Sequence, residues 1–398
     1  MTEPGPAGDR GASLLYIATI SATLRHFLNP YARHLRGAGW RVEAAANGAA
    51  ADEDLRAAFD DVHELPLSRS IFDVGGMFAA YKAVARVLAD APDIVHVHTP
   101  IASFLTRLAA RRLPAARRPI VVYTAHGFHF HREGRRVTNL VFLSAERLAG
   151  RWTDRLIVIN DEDFEAATRH RIVPARRLIR MPGIGLDTTT YSRSSLEPGA
   201  TDTARVALGV APGAPMFVAV GELNRNKRHA DAIAALAAMR RRDAVLVLLG
   251  EGDHRPRLEE QAKHLGLVDR VVFGGFVADP RPVVAGATAL VHPSRREGLS
   301  RSVMEALALD VPVIASAARG NAELVADSGA VVPIGDVAAL AAAMDRLADA
   351  PDEAVEMGRR GRERIVERYD LAALIARHER LYEELLAERR AAEAARPS

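Results

Sequence analysis

The chain has 398 residues, 48% hydrophobic and 26% charged, a composition that excludes the disordered classes and a length that suits two domains rather than one core. Cysteine is absent, which excludes a disulfide framework, a thiol nucleophile and a cysteine-ligated metal, and fits a reducing compartment. A formal net charge of +3 excludes whole-molecule binding to a polyanion, and no apolar run reaches the roughly 18 residues that a spanning helix requires.

Residues 1–13 are polar with Pro and Gly, the composition of a disordered tail. The apolar run 14–19 lacks the length and cleavage site of a signal-peptide core and reads as a first buried strand, so the protein is expected in the cytoplasm or peripherally on the inner membrane face. Further short apolar runs at 42–46, 94–98, 120–124, 156–160 and 178–181 alternate with helical patterns such as 24–35, 77–89 and 140–148. A second series of runs follows at 216–221, 244–249, 271–273, 289–292, 311–315 and 330–332. Such alternation predicts an α/β fold of parallel sheets with helices on both faces. Between the series, 191–201 is rich in Ser, Pro and Gly, which places a linker at 193–204 between domains 14–192 and 205–369. Residues 370–398 form a charged amphipathic helix.

Chemistry-bearing residues follow the strand ends. From Ile101 to Arg136 eight arginines (Arg107, Arg111, Arg112, Arg117, Arg118, Arg132, Arg135 and Arg136) face one acid, Glu133, which suggests an anionic surface. Without a nucleic-acid motif, that surface is a membrane and not a nucleic acid. Phe128, Phe130, Val141 and Phe142 are interleaved with these arginines, either as a bilayer-facing stretch or as core packing beside a solvated face. His126, His129 and His131 follow the run at 120–124, but their spacing matches no standard zinc site. His126 is then a hydrogen-bonding imidazole or a structural one.

Gly221-Glu222-Leu223-Asn224-Arg225-Asn226-Lys227-Arg228-His229 follows the first strand of the second series and leads into a helix. Only three lysines occur, and Lys227 stands where a cation suits a diphosphate leaving group. Glu297 and Glu305 lie eight apart after the run at 289–292, the first in a loop and the second in helical register. The residues alone leave Glu297 open to being a solvated turn residue and Glu305 to pairing with Arg301.

Glu297-Gly298-Leu299-Ser300 through Glu305 resembles the Glu-x7-Glu motif of retaining glycosyltransferases of family four. The resemblance runs from about Leu14 to Leu386 and includes Arg319-Gly320-Asn321 and Gly329-Ala330-Val331-Val332-Pro333. It implies the GT-B architecture, two Rossmann-like parallel-sheet domains facing a central cleft, with the tail helix returning to the first. It also implies a hexosyltransferase that moves a sugar from a UDP-sugar to a glycan acceptor on polyprenyl diphosphate, in exopolysaccharide or cell-surface polysaccharide biosynthesis. By resemblance, Glu297 orients the sugar and Glu305 holds the ribose. Lys227, Arg225 and Asn224, with the backbone at Gly298, Leu299 and Ser300, bind the nucleotide diphosphate, and His126 stands near the reaction centre. No metal or cofactor is implied, the nucleotide sugar being a substrate. Two departures stand out: Glu222 replaces the family arginine after the glycine, leaving Arg225 as its substitute, and Ile20-Ser21-Ala22-Thr23-Leu24 replaces a glycine pair. A nucleotide-sugar epimerase of similar fold and a non-catalytic nucleotide-sugar-binding protein are the alternatives.

Overall fold

The computed structural model describes residues 11–68, 74–130 and 136–395. Most of the expected tail (1–10) and His131, Arg132, Glu133 and Arg135 lie outside them. Two compact units emerge, Met1–Ile184 with Ala373–Ser398, and Gly185–Ala372.

The first unit holds β1 (Ser13–Ile20), β2 (Arg41–Asn47), β3 (Asp61–Glu64), β4 (Ile94–Val97), β5 (Ile120–Ala125), β6 (Arg155–Val158) and β7 (Leu178–Arg180). They pair in parallel in the order β3-β2-β1-β4-β5-β6-β7. Leu14 through Ala18 are buried on both sides of the sheet, because helices cover both faces and alternate side chains find no water. The edge strand β3 has no counterpart among the expected runs: Asp61-Val62-His63-Glu64 carries one aliphatic residue, since only part of an edge strand is buried. The helix Leu371–Ala394 packs into this unit through Leu374, His378, Leu381, Tyr382 and Leu385.

The second unit holds β8 (Met216–Val220), β9 (Val245–Leu249), β10 (Val271–Gly275), β11 (Ala289–His292), β12 (Val313–Ser316) and β13 (Gly329–Val332), parallel in the order β10-β9-β8-β11-β12-β13. In each sheet the order reverses once, between β1 and β4 and between β8 and β11. There the loops leaving the carboxyl ends of two strands part and open a crevice.

The expected linker at 193–204 is folded instead. It carries a single 3-10 turn, Arg193–Ser195, and the start of the helix Ala200–Ala207, while the unit boundary falls at Ile184 and Gly185. Serine and proline there make turns: the Ser195 hydroxyl donates to the carbonyls of Thr190 and Ser192.

In the basic stretch one expectation changes and one open reading is decided. Arg107 is only 1% exposed; it pairs with buried Glu146 at 3.0 Å and lies over the Tyr123 ring, because the helix Pro100–Arg111 turns that side onto the sheet. Phe128 and Phe130 are buried and stack with centroids 4.8 Å apart, so they belong to the core and not to a bilayer-facing surface.

Inside the first unit, His96, His98, His126 and His378 gather beside Tyr16 and Tyr382. His96 reaches the Tyr382 hydroxyl at 2.6 Å and the Thr124 hydroxyl at 2.7 Å, while His98 meets His126 at 3.0 Å. Burial, with smaller contributions from neighbouring histidines, lowers His96 and His98 well below the ordinary imidazole value and His126 to about 4. Burial takes His378 to about 4 as well. A folded-state pKa depressed in this way gives stability that is present above the unfolded value, near 6.5, and is lost as pH falls through it toward 4. The slope is about 1.4 kcal/mol per pH unit for each histidine. Thermal unfolding followed across that window should show the first unit losing stability with acid, and His378→Gln should flatten the slope; an unchanged slope would contradict the account.

Candidate active site

The loop leaving β8 and the loop leaving β11 meet at the strand-order reversal of the second unit. Lys227 Nζ donates to Glu297 Oε1 at 2.8 Å, and His292 Nε2 lies 3.2 Å from the same oxygen. Glu297 is 12% exposed at its side chain, so it is not a solvated turn residue. Burial is the largest influence on its carboxyl and pushes the pKa up, but His292 and Lys227 together outweigh it and hold the value at about 2. Burial lowers the pKa of His292, so its ring is neutral. Lys227 is therefore the fixed cation of the group, and the imidazole contributes a hydrogen bond. That bond places a proton on Nε2 and leaves Nδ1 free to accept from Ser302 Oγ, 3.5 Å away.

Backbone hydrogen bonds lock the two loops together. Asn224 Oδ1 accepts from the amides of Asn226 and Lys227 at 3.0 and 3.1 Å, closing a tight turn that aims the lysine. Asn226 then bridges across: its side-chain amide donates to the Arg296 carbonyl at 3.0 Å, and its own carbonyl accepts from the Arg295 amide at 2.8 Å. From the other side, Gly320, with φ +77°, comes so close that a Cβ would sit 1.9 Å from the Gly298 carbonyl oxygen. Only glycine allows this approach, and it fixes the Gly298-Leu299-Ser300 turn at the start of the helix Arg301–Ala308.

The other expected residues divide. Glu305 is paired with Arg301 at 2.8 Å across one helical turn, and the Tyr191 hydroxyl hydrogen-bonds the same carboxylate. Arg225 is exposed and makes no ion pair among the described residues. Glu222 is exposed as well. His126 belongs to the other unit, at the end of β5, partly exposed and neutral. The sequence reading gave no role to His292 or Asn226, although an isolated histidine closing a buried strand is a legible anomaly.

At the reversal of the first sheet, a cleft of about 410 Å³ opens between the loops after β1 and β4, lined by Thr19, Ile20, Thr23, Thr99, Ile101 and Phe142 among others. Thr99 has φ +106°, strain that its hydroxyl helps hold through hydrogen bonds with the Thr19 hydroxyl (2.7 Å) and amide (3.0 Å). The segment that departs from the family glycine pair thus forms one wall of this cleft.

Glu43, Asp61 and His63 are the metal-competent grouping among the described residues. Glu43 is already paired there, since Arg41 and His63 each contact one of its oxygens at 2.8 Å.

The profile of "Glycosyl transferases group 1" matches residues 200–364, and that of "Glycosyl transferase 4-like domain" matches 24–183. The chain is 33% identical over 356 residues to "Putative glycosyltransferase EpsD" of Bacillus subtilis (strain 168), covering 88% of this chain and 91% of that protein. It is 27% identical over 340 residues to the UDP-Gal:alpha-D-GlcNAc-diphosphoundecaprenol alpha-1,3-galactosyltransferase of Escherichia coli, covering 83% and 84%. The crystal structure of Anabaena Alr3699/HepE in complex with UDP superposes with a TM-score of 0.78 at 22% identity, over 94% of this chain and 100% of that one, a likeness of fold. The chain belongs to glycosyltransferase family four and has the GT-B fold.

Proposed function

We propose that the chain moves a hexosyl group from a UDP-sugar to a glycan acceptor on a polyprenyl diphosphate, with retention of anomeric configuration, in exopolysaccharide or cell-surface polysaccharide assembly. The observation that carries the reading is the 2.8 Å contact between Lys227 and Glu297 at the crevice of the second unit. The names of the Bacillus and Escherichia relatives, and the UDP bound by the Anabaena protein, support the donor and acceptor classes.

In the reaction the bond from the anomeric carbon to the diphosphate oxygen breaks, and the acceptor oxygen forms its bond on the same face. The acceptor proton passes to the departing diphosphate. Lys227 and the amides around Leu299 and Ser300 take up the charge that develops on that group. Glu297 orients the sugar and Glu305 turns from Arg301 to the ribose, while neutral His126, in the first unit, serves to hydrogen-bond an acceptor hydroxyl. The cleft beside Thr19 and Thr99 receives the acceptor. No metal or other cofactor takes part, because a fixed cation and backbone amides occupy that role.

The test is a hydrolysis and transfer screen of the purified chain across nucleotide sugars, with a synthetic polyprenyl-diphosphate saccharide as acceptor. Slow hydrolysis of one UDP-sugar, and an α-linked product from an α-linked donor by NMR, are expected. An inverted linkage would overturn retention, and interconversion of the UDP-sugar without acceptor would favour an epimerase.

A further inference from the structure

We infer that one outer face of the first unit, built by the helices Val74–Leu88 and Arg136–Gly150, docks on an anionic lipid bilayer. The helix Arg136–Gly150 buries Glu146, Ala149 and Gly150 and packs Phe142 and Leu143 against the core. Its opposite side presents Val137 (75% exposed), Leu140 (64%), Val141 (56%) and Leu148, spaced as one stripe along the helix. On the helix Val74–Leu88, Phe78 is 60% exposed, with Lys82 Nζ 4.4 Å above its ring. Both helices pack against Pro100–Arg111 and share the core under one face of the sheet, so both apolar surfaces look outward on the same side.

The charge around this face names the partner. Residues 74–151 hold twelve Lys and Arg against four Asp and Glu, a net +8 in a chain whose total is +3, so the other residues sum to −5. Arg111, Arg112, Arg117, Arg136, Arg147 and Arg151 are exposed, whereas Asp90 alone of the described acids in this segment is exposed. Arg111 lies over the Trp152 ring at 4.7 Å and Arg112 donates to the Tyr81 hydroxyl at 3.1 Å, so apolar surface supports the guanidinium heads. Exposed aliphatic side chains ringed by arginine, with almost no acid between them, fit the boundary of an anionic bilayer. There the apolar groups enter the acyl region and the cations meet lipid phosphates. A second copy of the chain would bring like charge against like charge. The surface also differs from the expected one: Arg107, Phe128 and Phe130 have withdrawn into the core, and Val137, Leu140 and Phe78 take their place.

The inference supplies the membrane contact that a lipid-linked acceptor calls for, but it is measured without substrate, so either reading can fail alone. Flotation of the full chain would be compared on phosphatidylcholine vesicles with and without phosphatidylglycerol. The parent chain should float with the anionic vesicles at low salt, stay behind with the neutral ones and be released by added salt. Val137→Asp with Leu140→Asp should weaken partition about tenfold or more, and Phe78→Ser should weaken it less. Val206→Asp with Val355→Asp, at exposed valines of the other unit, should float like the parent. Unchanged thermal unfolding would show the variants to be folded. A parent chain that does not float, or partition indifferent to the paired aspartates, would overturn the inference. So would a dimer that those aspartates dissociate, which would assign the face to self-association.

Discussion

Lys227→Ala is expected to cut glycosyl transfer by about 10²–10³-fold, the usual effect of removing one group that stabilises developing charge. It should also weaken UDP binding by about tenfold, as for a lost charge-assisted hydrogen bond. The lysine lies 2.8 Å from Glu297 and is 22% exposed, so its charge acts where water is scarce. Its removal leaves Glu297 beside His292, and the neutral ring cannot replace a fixed cation. Lys263→Ala, on the exposed side of the helix Arg255–His264, provides the control and should change neither quantity. Kinetics and calorimetry of both variants decide the matter: parity between them would remove Lys227 from the chemistry.

Glu297→Gln should separate turnover from binding. The amide keeps the side chain's shape and removes its charge, so kcat should fall by about 10²-fold while UDP affinity stays within about threefold. The substitution has a stability cost of known sign. A carboxyl held at about 2 in the folded chain adds stability that is present above its ordinary value and is lost as pH falls through 2. The parent should therefore exceed the variant in stability at neutral pH, and the gap should narrow in acid. Equal losses of turnover and UDP affinity would mean that Glu297 shapes the loop and does not act on the sugar.

What the sequence disclosed followed the physics of burial. Parallel strands covered on both faces, such as 14–18 and 245–249, leave unbroken apolar runs and were legible. The edge strand β3 was not, because half its side chains face water. Arg107 sits in a helix whose buried side cannot be deduced until its partner Glu146, 39 positions later, is known. At the site, Lys227 and Glu297 were legible from the character of their loops. Asn226 was not, because it acts through a neighbour 70 residues away, and His292 left only the trace of an isolated histidine closing a buried strand. Arg225, the expected second diphosphate cation, is exposed and makes no ion pair among the described residues.

The bridge through Asn226 gives the two loops a shared fate. An insertion in one would drag the peptide plane of the other, so donor preference should be transplantable between relatives only as a matched cassette spanning both segments. Chimeras exchanging a single loop would inherit a misaligned carboxylate, however faithfully the borrowed residues were copied.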